Sequence, residues 1–465
     1  MIKINSKKTL STYYYYHLVI IFYFIYSTNC IIEIPLEPIE IIGVPKFPNI
    51  KLKEPLKYSK SNLINKTLLI ENGGTKLNKN LLFLAKVKIG SKNNEFNLLL
   101  DTGSIIVWVA NIKSSNEHYI EHRFDPKSSS TCAFTKKTFN QEYGTGSCSG
   151  YYYIDNFKYI NDIKFNITFG VADNTNFEID KGDGILGLAH DYFGEYDESM
   201  SFIHMLKEYK ITDSKSFSIK FGEDLDAGVS GKLFIGKHKD FMSDETIVAP
   251  LVKTWIKDNF WKCKINGIGF KNDEGTLDVD QNYDMIFDTG TNVIILPYSY
   301  LPSISTTLPS LGCGIEISSD GYYLIYCHKD YLVDLRIKIN NKILIVPSDY
   351  TFYELPSGFY YSRILFSNNN KINNIIGTPF FLAFHTLFDK ENESLHFYPE
   401  KRDFSEDSNL FTIIVVILII ILLIVLLGFI FYKFILWQRA KREMNRGFPS
   451  SNYYNNIHGF NQNFL

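Results

Sequence analysis

The chain runs to 465 residues and is 45% hydrophobic, which gives room for two or three domains with a sizeable core and excludes a mainly disordered protein. Its formal charge of −2 holds no basic excess, and no zinc-finger or phosphate-loop motif occurs, so nucleic acid and other polyanions are excluded as partners. Heavy use of Asn, Ile, Lys and Tyr points to A/T-rich coding DNA and bears little on mechanism.

At the N-terminus, Lys3, Lys7 and Lys8 precede the apolar run YYYYHLVIIFYFIY and the small polar residues STNC. This is the pattern of a secretory leader, so residues 1–30 are expected to be a signal peptide or an uncleaved signal anchor. Residues 31–77 hold five prolines by Pro55 and include the basic, aperiodic run KLKEPLKYSKSNLINKTLL. That segment reads either as a solvated linker or as a propeptide, and the second reading requires an enzyme downstream of it.

From about residue 80 the pattern becomes that of short strands: LLFLAKVKIG, FNLLL, IKFNITFGVA, SFSIKFG and GKLFIG are β-rich and bounded by Gly, Asn, Ser or Asp. DESMSFIHMLKEYK is the best helix candidate, with Phe202, Leu206 and Tyr209 on one stripe. LRIKINNKILIV predicts a hairpin with Leu335, Ile337 and Ile339 on one face and a turn at Asn340-Asn341. The ectodomain is therefore expected to be mainly β.

Leu410 to Tyr432 contains no charged residue and matches the roughly 20 residues that cross a bilayer core. Lys433, Arg439, Lys441, Arg442 and Arg446 follow it, while Asp403, Glu406 and Asp407 precede it. The expectation is a juxtamembrane stretch 403–409, a transmembrane helix 410–432 and a cytosolic tail 433–465. Everything from residue 31 to 409 then faces a secretory, endosomal or vacuolar lumen or the cell exterior, where disulfides form.

Six cysteines are available, of which Cys30 would leave with the leader. Cys313 and Cys327 flank a short segment that suits a hairpin staple, Cys132 and Cys148 could bridge a similar loop, and Cys263 reads as a buried thiol in the strand-like FWKCKINGIGF. Spacing alone leaves the pairing open. Glycan acceptor sequons occur at Asn65, Asn166 and Asn392.

One phrase occurs twice. LLLDTGSIIVWVA carries Asp101, and MIFDTGTNVIILP carries Asp288. An Asp-Thr-Gly triplet should appear only about once in several thousand positions. Both copies follow an apolar strand, and both are followed by a hydroxyl residue, Ser104 or Thr291. Ile185-Leu186-Gly187 lies about as far beyond the first as Ile375-Ile376-Gly377 lies beyond the second, which is the mark of a duplicated unit. The halves are drawn at 78–222 and 223–402.

Each residue type has a physical task. Two carboxyl groups held a few ångström apart share one proton, so a base and an acid coexist at one point. Such a pair activates a water against a peptide carbonyl with no metal and no covalent intermediate. Gly103 and Gly290 let the two loops approach and turn backbone N–H groups toward the acids. Ser104 and Thr291 can donate to the carboxylates, and Thr102 and Thr289 can knit the loops together.

On these motifs the chain resembles the pepsin-like aspartic proteases from about Leu81 to Tyr398, whose known device is the proton-sharing pair. The resemblance implies a bilobal β fold with two related lobes, to which the stretch 410–432 adds the single C-terminal transmembrane helix expected above. It also implies Asp101 and Asp288 as catalytic residues, no cofactor, and peptide or protein substrates. EYGTGSCSGYY is similar to the family's flap hairpin, which makes Tyr143, Gly144 and Thr145 flap residues and Trp108 the partner of the flap tyrosine. SFSIKFG is similar to the strand at the crossing between lobes.

Some positions depart from the family pattern. Ile105-Ile106 stand where many relatives carry Ser-Asn, Asn292 replaces a serine common after the second motif, and cysteines flank the flap. Leader, basic prosegment and C-terminal anchor together resemble the apicomplexan plasmepsin type, with residues 31–77 as an inhibitory propeptide. A monomer is expected.

Two other readings compete. HYIEH, His118 to His122, matches the H-x-x-E-H pattern of one metallopeptidase group, but its flanks read as an exposed loop without a third ligand, so no metal is expected. The second is a catalytically silent, membrane-anchored binder of peptides or proteins, which the intact acid, hydroxyl and flap residues disfavour.

Overall fold

Short apolar runs broken by turn residues favour strand over helix, and twenty-four strands are found among the described residues. The computed structural model describes residues 32–40, 81–114, 120–144, 146–158, 164–176, 182–190, 200–221, 231–236, 246–252, 260–270, 277–318, 321–355, 358–368, 374–399, 427–428, 431–439 and 441–442. Residues 1–400 form one compact unit and 401–465 another.

The first half of the larger unit comprises β1 (Ile32–Glu40), β2 (Leu81–Ile89), β3 (Asn94–Asp101), β4 (Trp108–Ala110), β5 (Ala133–Tyr143), β6 (Gly146–Lys158), β7 (Lys164–Thr175), β8 (Gly184–Gly187), the helix α1 (Phe202–Glu208), β9 (Phe217–Phe221) and β10 (Gly231–Ile235). β3 runs parallel to β8, β8 antiparallel to β4, and β4 parallel to β7. β4, β8 and the end of β3 are buried on both faces, so 98–100, 108–110 and 184–187 carry no polar side chain, whereas β7 alternates exposed and buried residues over its first half. Leu98 and Leu100 enter the main core, while Leu99 faces a smaller cluster with Trp108, Ile185 and Phe139.

The second half repeats the plan. Its elements are β11 (Ile247–Pro250), β12 (Lys262–Ile265), β13 (Gly267–Gly269), β14 (Tyr283–Phe287), β15 (Ile294–Pro297), α2 (Leu301–Thr307), β16 (Cys313–Ile317), β17 (Tyr323–His328), β18 (Leu335–Ile339), β19 (Lys342–Val346), α3 (Ser348–Thr351), β20 (Phe352–Glu354), β21 (Phe359–Ser367), β22 (Ile375–Ile376), α4 (Thr378–Phe381), β23 (Phe384–Asp389) and β24 (Ser394–Pro399). β14 runs parallel to β22, β22 antiparallel to β15, and β15 parallel to β21. This is the β3, β8, β4, β7 arrangement over again, and it identifies the β16–β17 hairpin, which pairs with β21, as the counterpart of the β5–β6 hairpin on β7.

An antiparallel run of strands, β11-β24-β23-β9-β10-β1-β2, joins the halves. β9, expected at the crossing, pairs with β23, and Phe217 stacks on Phe388 with ring centroids 4.7 Å apart. Trp261 packs edge-on against both rings. β1 lies between β10 and β2 with Leu36 fully buried, so residues 32–40 are not a solvated linker. The rest of the expected propeptide and the leader lie outside the described residues.

The predicted hairpin is present as β18 and β19, and Asn340 and Asn341 take the left-handed φ values of 48° and 64° that a tight two-residue turn demands. The predicted helix is shorter than its pattern. Ser201 caps α1 by accepting from His204 N–H, Phe202 and Leu206 are buried, but Tyr209 falls at the C-cap and is exposed because the helix ends one residue before it.

Of the cysteine pairs, Cys313 and Cys327 are bonded across β16 and β17, with Cα atoms 4.3 Å apart. Cys132 and Cys148 are both free, which corrects the second expected bridge. The reason is register: Cys148 faces Gln141, whereas Cys132 precedes Ala133, which faces Ile154 at the far end of the same hairpin. At about 3.3 Å per residue no disulfide spans that distance. Cys263 is buried beside Met285, as its strand context suggests.

In the C-terminal unit, residues 427–428, 431–439 and 441–442 are helical, and Lys441 Nζ lies 5.1 Å from the Trp437 ring centre. Among the described residues no helix is long and apolar enough to cross a membrane. Most of the expected span, 410–426 and 429–430, lies outside the described residues.

The register makes a direct prediction. Alkylation under non-reducing conditions followed by peptide mapping will recover Cys313 and Cys327 in one linked pair and Cys132 and Cys148 as alkylated single peptides. Replacing Cys313 and Cys327 with alanine will lower the free energy of unfolding in urea by about 2–3 kcal/mol, as expected for a short closed loop.

Candidate active site

Each Asp-Thr-Gly triplet sits where a strand meets a loop: Asp101 is the last residue of β3, and Asp288 follows the last residue of β14. The paired apolar-apolar-glycine segments brace both loops through the backbone. Leu188 N–H donates to the Asp101 carbonyl at 2.7 Å and Ala189 N–H to that of Ser104 at 2.8 Å. In the second half Asp288 N–H donates to the Ile376 carbonyl at 3.0 Å, and Thr378 N–H donates to that of Thr291 at 2.7 Å.

Thr102 and Thr289 tie one loop to the other. Thr102 N–H donates to Thr289 Oγ1 (3.2 Å), and Thr289 N–H donates to Thr102 Oγ1 (3.0 Å). Each hydroxyl then donates behind the opposite loop, Thr102 to the Phe287 carbonyl and Thr289 to the Leu100 carbonyl, both at 2.9 Å. Both side chains are buried, so these bonds are shielded from water.

The approach is so close that side chains are excluded. A Cβ on Gly103 would lie 2.7 Å from Asp288 Cγ, and one on Gly290 would lie 2.7 Å from Asp101 Oδ1. The two glycine N–H groups donate inward, Gly103 to Asp101 Oδ1 and Gly290 to Asp288 Oδ1, each at 2.8 Å. The outer oxygens accept from hydroxyls, Asp101 Oδ2 from Ser104 and Asp288 Oδ2 from Thr291 at 2.7 Å.

The two carboxyls thus face each other within hydrogen-bond reach. Burial, followed by the Asp288 charge, raises the Asp101 carboxyl well above its ordinary 3.8, while the Ser104 and Gly103 donors oppose the shift. The pair therefore retains a proton at pH values where a lone aspartate would have lost it.

Over this pair stands the β5–β6 hairpin. Tyr143 ends β5, and its hydroxyl accepts from Trp108 Nε1–H at 2.8 Å and reaches the Ser104 hydroxyl. Burial, then Cys148 and Asp101 nearby, push the Tyr143 phenol up. Gly144, at the tip, is exposed, and Thr145 lies outside the described residues.

These features recur in known proteins. The family model for eukaryotic aspartyl proteases matches residues 82–399. The chain belongs to that family. Gastricsin of Rattus norvegicus is 26% identical over 323 residues, covering 67% of this chain and 79% of its own. Pepsin-3 of Oryctolagus cuniculus is 26% identical over 359 residues, covering 74% and 89%. Vacuolar protease A of Arthroderma otae is 31% identical over 280 residues, covering 58% and 66%. Homology thus puts the chain among the aspartic-type endopeptidases.

The structure brings Asp101, Thr102, Gly103, Ser104, Asp288, Thr289, Gly290, Thr291, Tyr143 and Trp108 into one site. Sequence reasoning missed the carbonyls of Leu100 and Phe287, the bond from Trp261 Nε1–H to the Leu188 carbonyl at 2.8 Å, and the place of Cys148 beneath Tyr143. Backbone acceptors leave no sequence signal. The departure Ile105-Ile106 is buried in the cluster that holds Trp108. His122 of the HYIEH motif bonds to the buried Asp183 at 3.0 Å, and His118 lies outside the described residues. Among the described residues no group of three His, Cys, Asp or Glu could hold a metal ion. Of the sequons, the Asn392 carboxamide donates to Asp389 Oδ2 at 2.7 Å.

A raised carboxyl pKa makes the folded state bind more protons than the unfolded one, so its effect on stability is unfavourable once the pH exceeds the unfolded value. Asp101→Asn is therefore expected to melt above the wild type at pH 7, with the gap closing as the pH falls toward 3.8. Thr289→Val, which leaves the Thr102 N–H and the Leu100 carbonyl without their hydroxyl, will lower stability by about 1–3 kcal/mol in urea unfolding.

Proposed function

We propose that the chain is an endopeptidase that cuts protein substrates with a water activated between Asp101 and Asp288. The observation that carries this reading is the mutual approach of two identically supported carboxyls, each with one N–H donor and one hydroxyl donor. A water bound between them loses a proton to the ionised partner and attacks the peptide carbonyl, while the protonated partner donates to the oxygen that becomes tetrahedral. The donors beneath each acid fix its orientation before substrate arrives, so little reorganisation accompanies the step. Tyr143 closes over the substrate from the flap side, its hydroxyl held by the buried Trp108 beneath it.

We further infer that the enzyme is made as a membrane-tethered zymogen of the plasmepsin type, with its catalytic unit in a lumen or outside the cell. The reading rests on the leader, the basic run within 31–77 and the uncharged stretch 410–432 with basic residues behind it. Lysines of the prosegment would neutralise the acidic cleft until they are displaced. Protein retaining residues 31–77 and yet fully active at every pH would remove the zymogen proposal. A silent binding role is disfavoured because every donor of the paired acids is in place.

Incubating the purified protein with a peptide library, with and without a statine inhibitor, tests the reaction. Asp101→Asn and Asp288→Asn are each expected to lower kcat by about a thousandfold or more, within the usual reach of acid–base catalysis. Activity will be greatest on the acidic side of neutrality, and a rate profile flat from about pH 4 to 9 would contradict a proton-sharing pair.

A further inference from the structure

One fully buried carboxyl has no part in the proposed reaction. Asp155 lies on β6 near the root of the β5–β6 hairpin and is 0% exposed. Its Oδ1 is well supplied, accepting from the Thr131 hydroxyl at 2.5 Å and from the Asn156 N–H at 2.7 Å. Its Oδ2 is not: among the described residues no donor reaches that oxygen, and no lysine, arginine or histidine pairs with the carboxyl. A carboxylate withdrawn from water without donor or counter-charge is costly, and native folds seldom keep one unless an ion or a water completes it.

The orphaned oxygen borders a nest of hydroxyls. Ser129 Oγ accepts from the Ser91 N–H at 2.9 Å and lies 3.2 Å from Thr131 Oγ1 and 3.4 Å from Ser91 Oγ. Gly90, at a left-handed φ of 85°, lines the nest with bare backbone. A Cβ on it would lie 3.1 Å from Ser129 Oγ and 3.4 Å from Asp155 Oδ2, so both oxygens flank the same spot. Ser130 and Thr131 are exposed, which opens the nest to solvent. The neighbouring Cys132 brings no charge, because burial and then the Asp155 carboxylate push its thiol up to about 12.

The donor set selects the ion. One carboxylate oxygen among neutral hydroxyls is hard and carries a single negative charge, whereas divalent ions draw on several carboxylates and transition metals on imidazole or thiolate. We propose that Asp155 Oδ2, with the hydroxyl oxygens of Ser129 and Thr131, binds a monovalent inorganic cation such as sodium or potassium. The ion ties together three segments that meet here: the β2–β3 turn at Gly90-Ser91, the stretch 129–131 leading into β5, and β6 itself. It takes no part in peptide cleavage, so this inference stands apart from the endopeptidase reading.

Thermal unfolding of the full chain in sodium, potassium or choline chloride at equal ionic strength tests the site. Sodium or potassium is expected to raise the melting temperature by about 2 °C over choline, and the rise will follow the logarithm of concentration once the site fills. Asp155→Asn, which keeps the shape and removes the charge, is expected to melt alike in all three salts. A melting temperature that ignores the cation, or a rise that survives in Asp155→Asn, would overturn the proposal.

A second measurement needs no variant. Crystals of the wild type grown with thallous acetate are expected to show an anomalous scattering peak between Asp155 Oδ2 and the Ser129 hydroxyl. An ordered water there without anomalous signal, or the Cys132 thiol closed on Oδ2, would overturn the proposal even if Asp155→Asn failed to fold.

Discussion

The site depends on the crossed hydrogen bonds between Thr102 and Thr289. Each threonine accepts from the other's backbone and donates to the strand behind the other loop, so neither loop can move without breaking bonds on both sides. That matters because the acids they carry resist being brought together. Two carboxyls in a buried setting repel once ionised, and the surrounding structure has to over-determine their position. Paired hydroxyl and amide bonds, shielded from water, supply that constraint.

Larger elements extend the same constraint. Parallel pairing of β3 with β8 and of β14 with β22 sets the height of each triplet, so the acids emerge at matching levels. The halves are not merely apposed. β9 and β23 share a ladder, Phe217 stacks on Phe388, and Trp261 of the second half donates to the Leu188 carbonyl in the brace of the first loop. A change in the packing between halves would therefore be felt at Asp101.

Much of this was legible in the letters. The repeated triplet named the acids, the hydroxyls beside them named their donors, and the alternation of LRIKINNKILIV named a hairpin with its turn. What the letters did not carry was either backbone or long-range. The Leu100 and Phe287 carbonyls belong to whichever residue occupies those positions, so no side chain advertises them. The Cys132–Cys148 bridge failed because sequence spacing says nothing about register: sixteen positions apart along the chain looks like a short loop until both residues lie on one long hairpin at opposite ends. Tyr209 missed the core because hydrophobic periodicity carries on past the last helical turn, whereas the helix does not.

The two counterpart hairpins differ in one respect. β5–β6 runs to an open tip at Gly144, while β16–β17 is short and stapled by Cys313 and Cys327. A cleft built on a near-perfect twofold would greet a bound chain identically in either orientation. With one hairpin stapled at its base and its counterpart held by strand pairing alone, the two rims are unlike, and the two directions in which a polypeptide could lie along the groove are no longer equivalent.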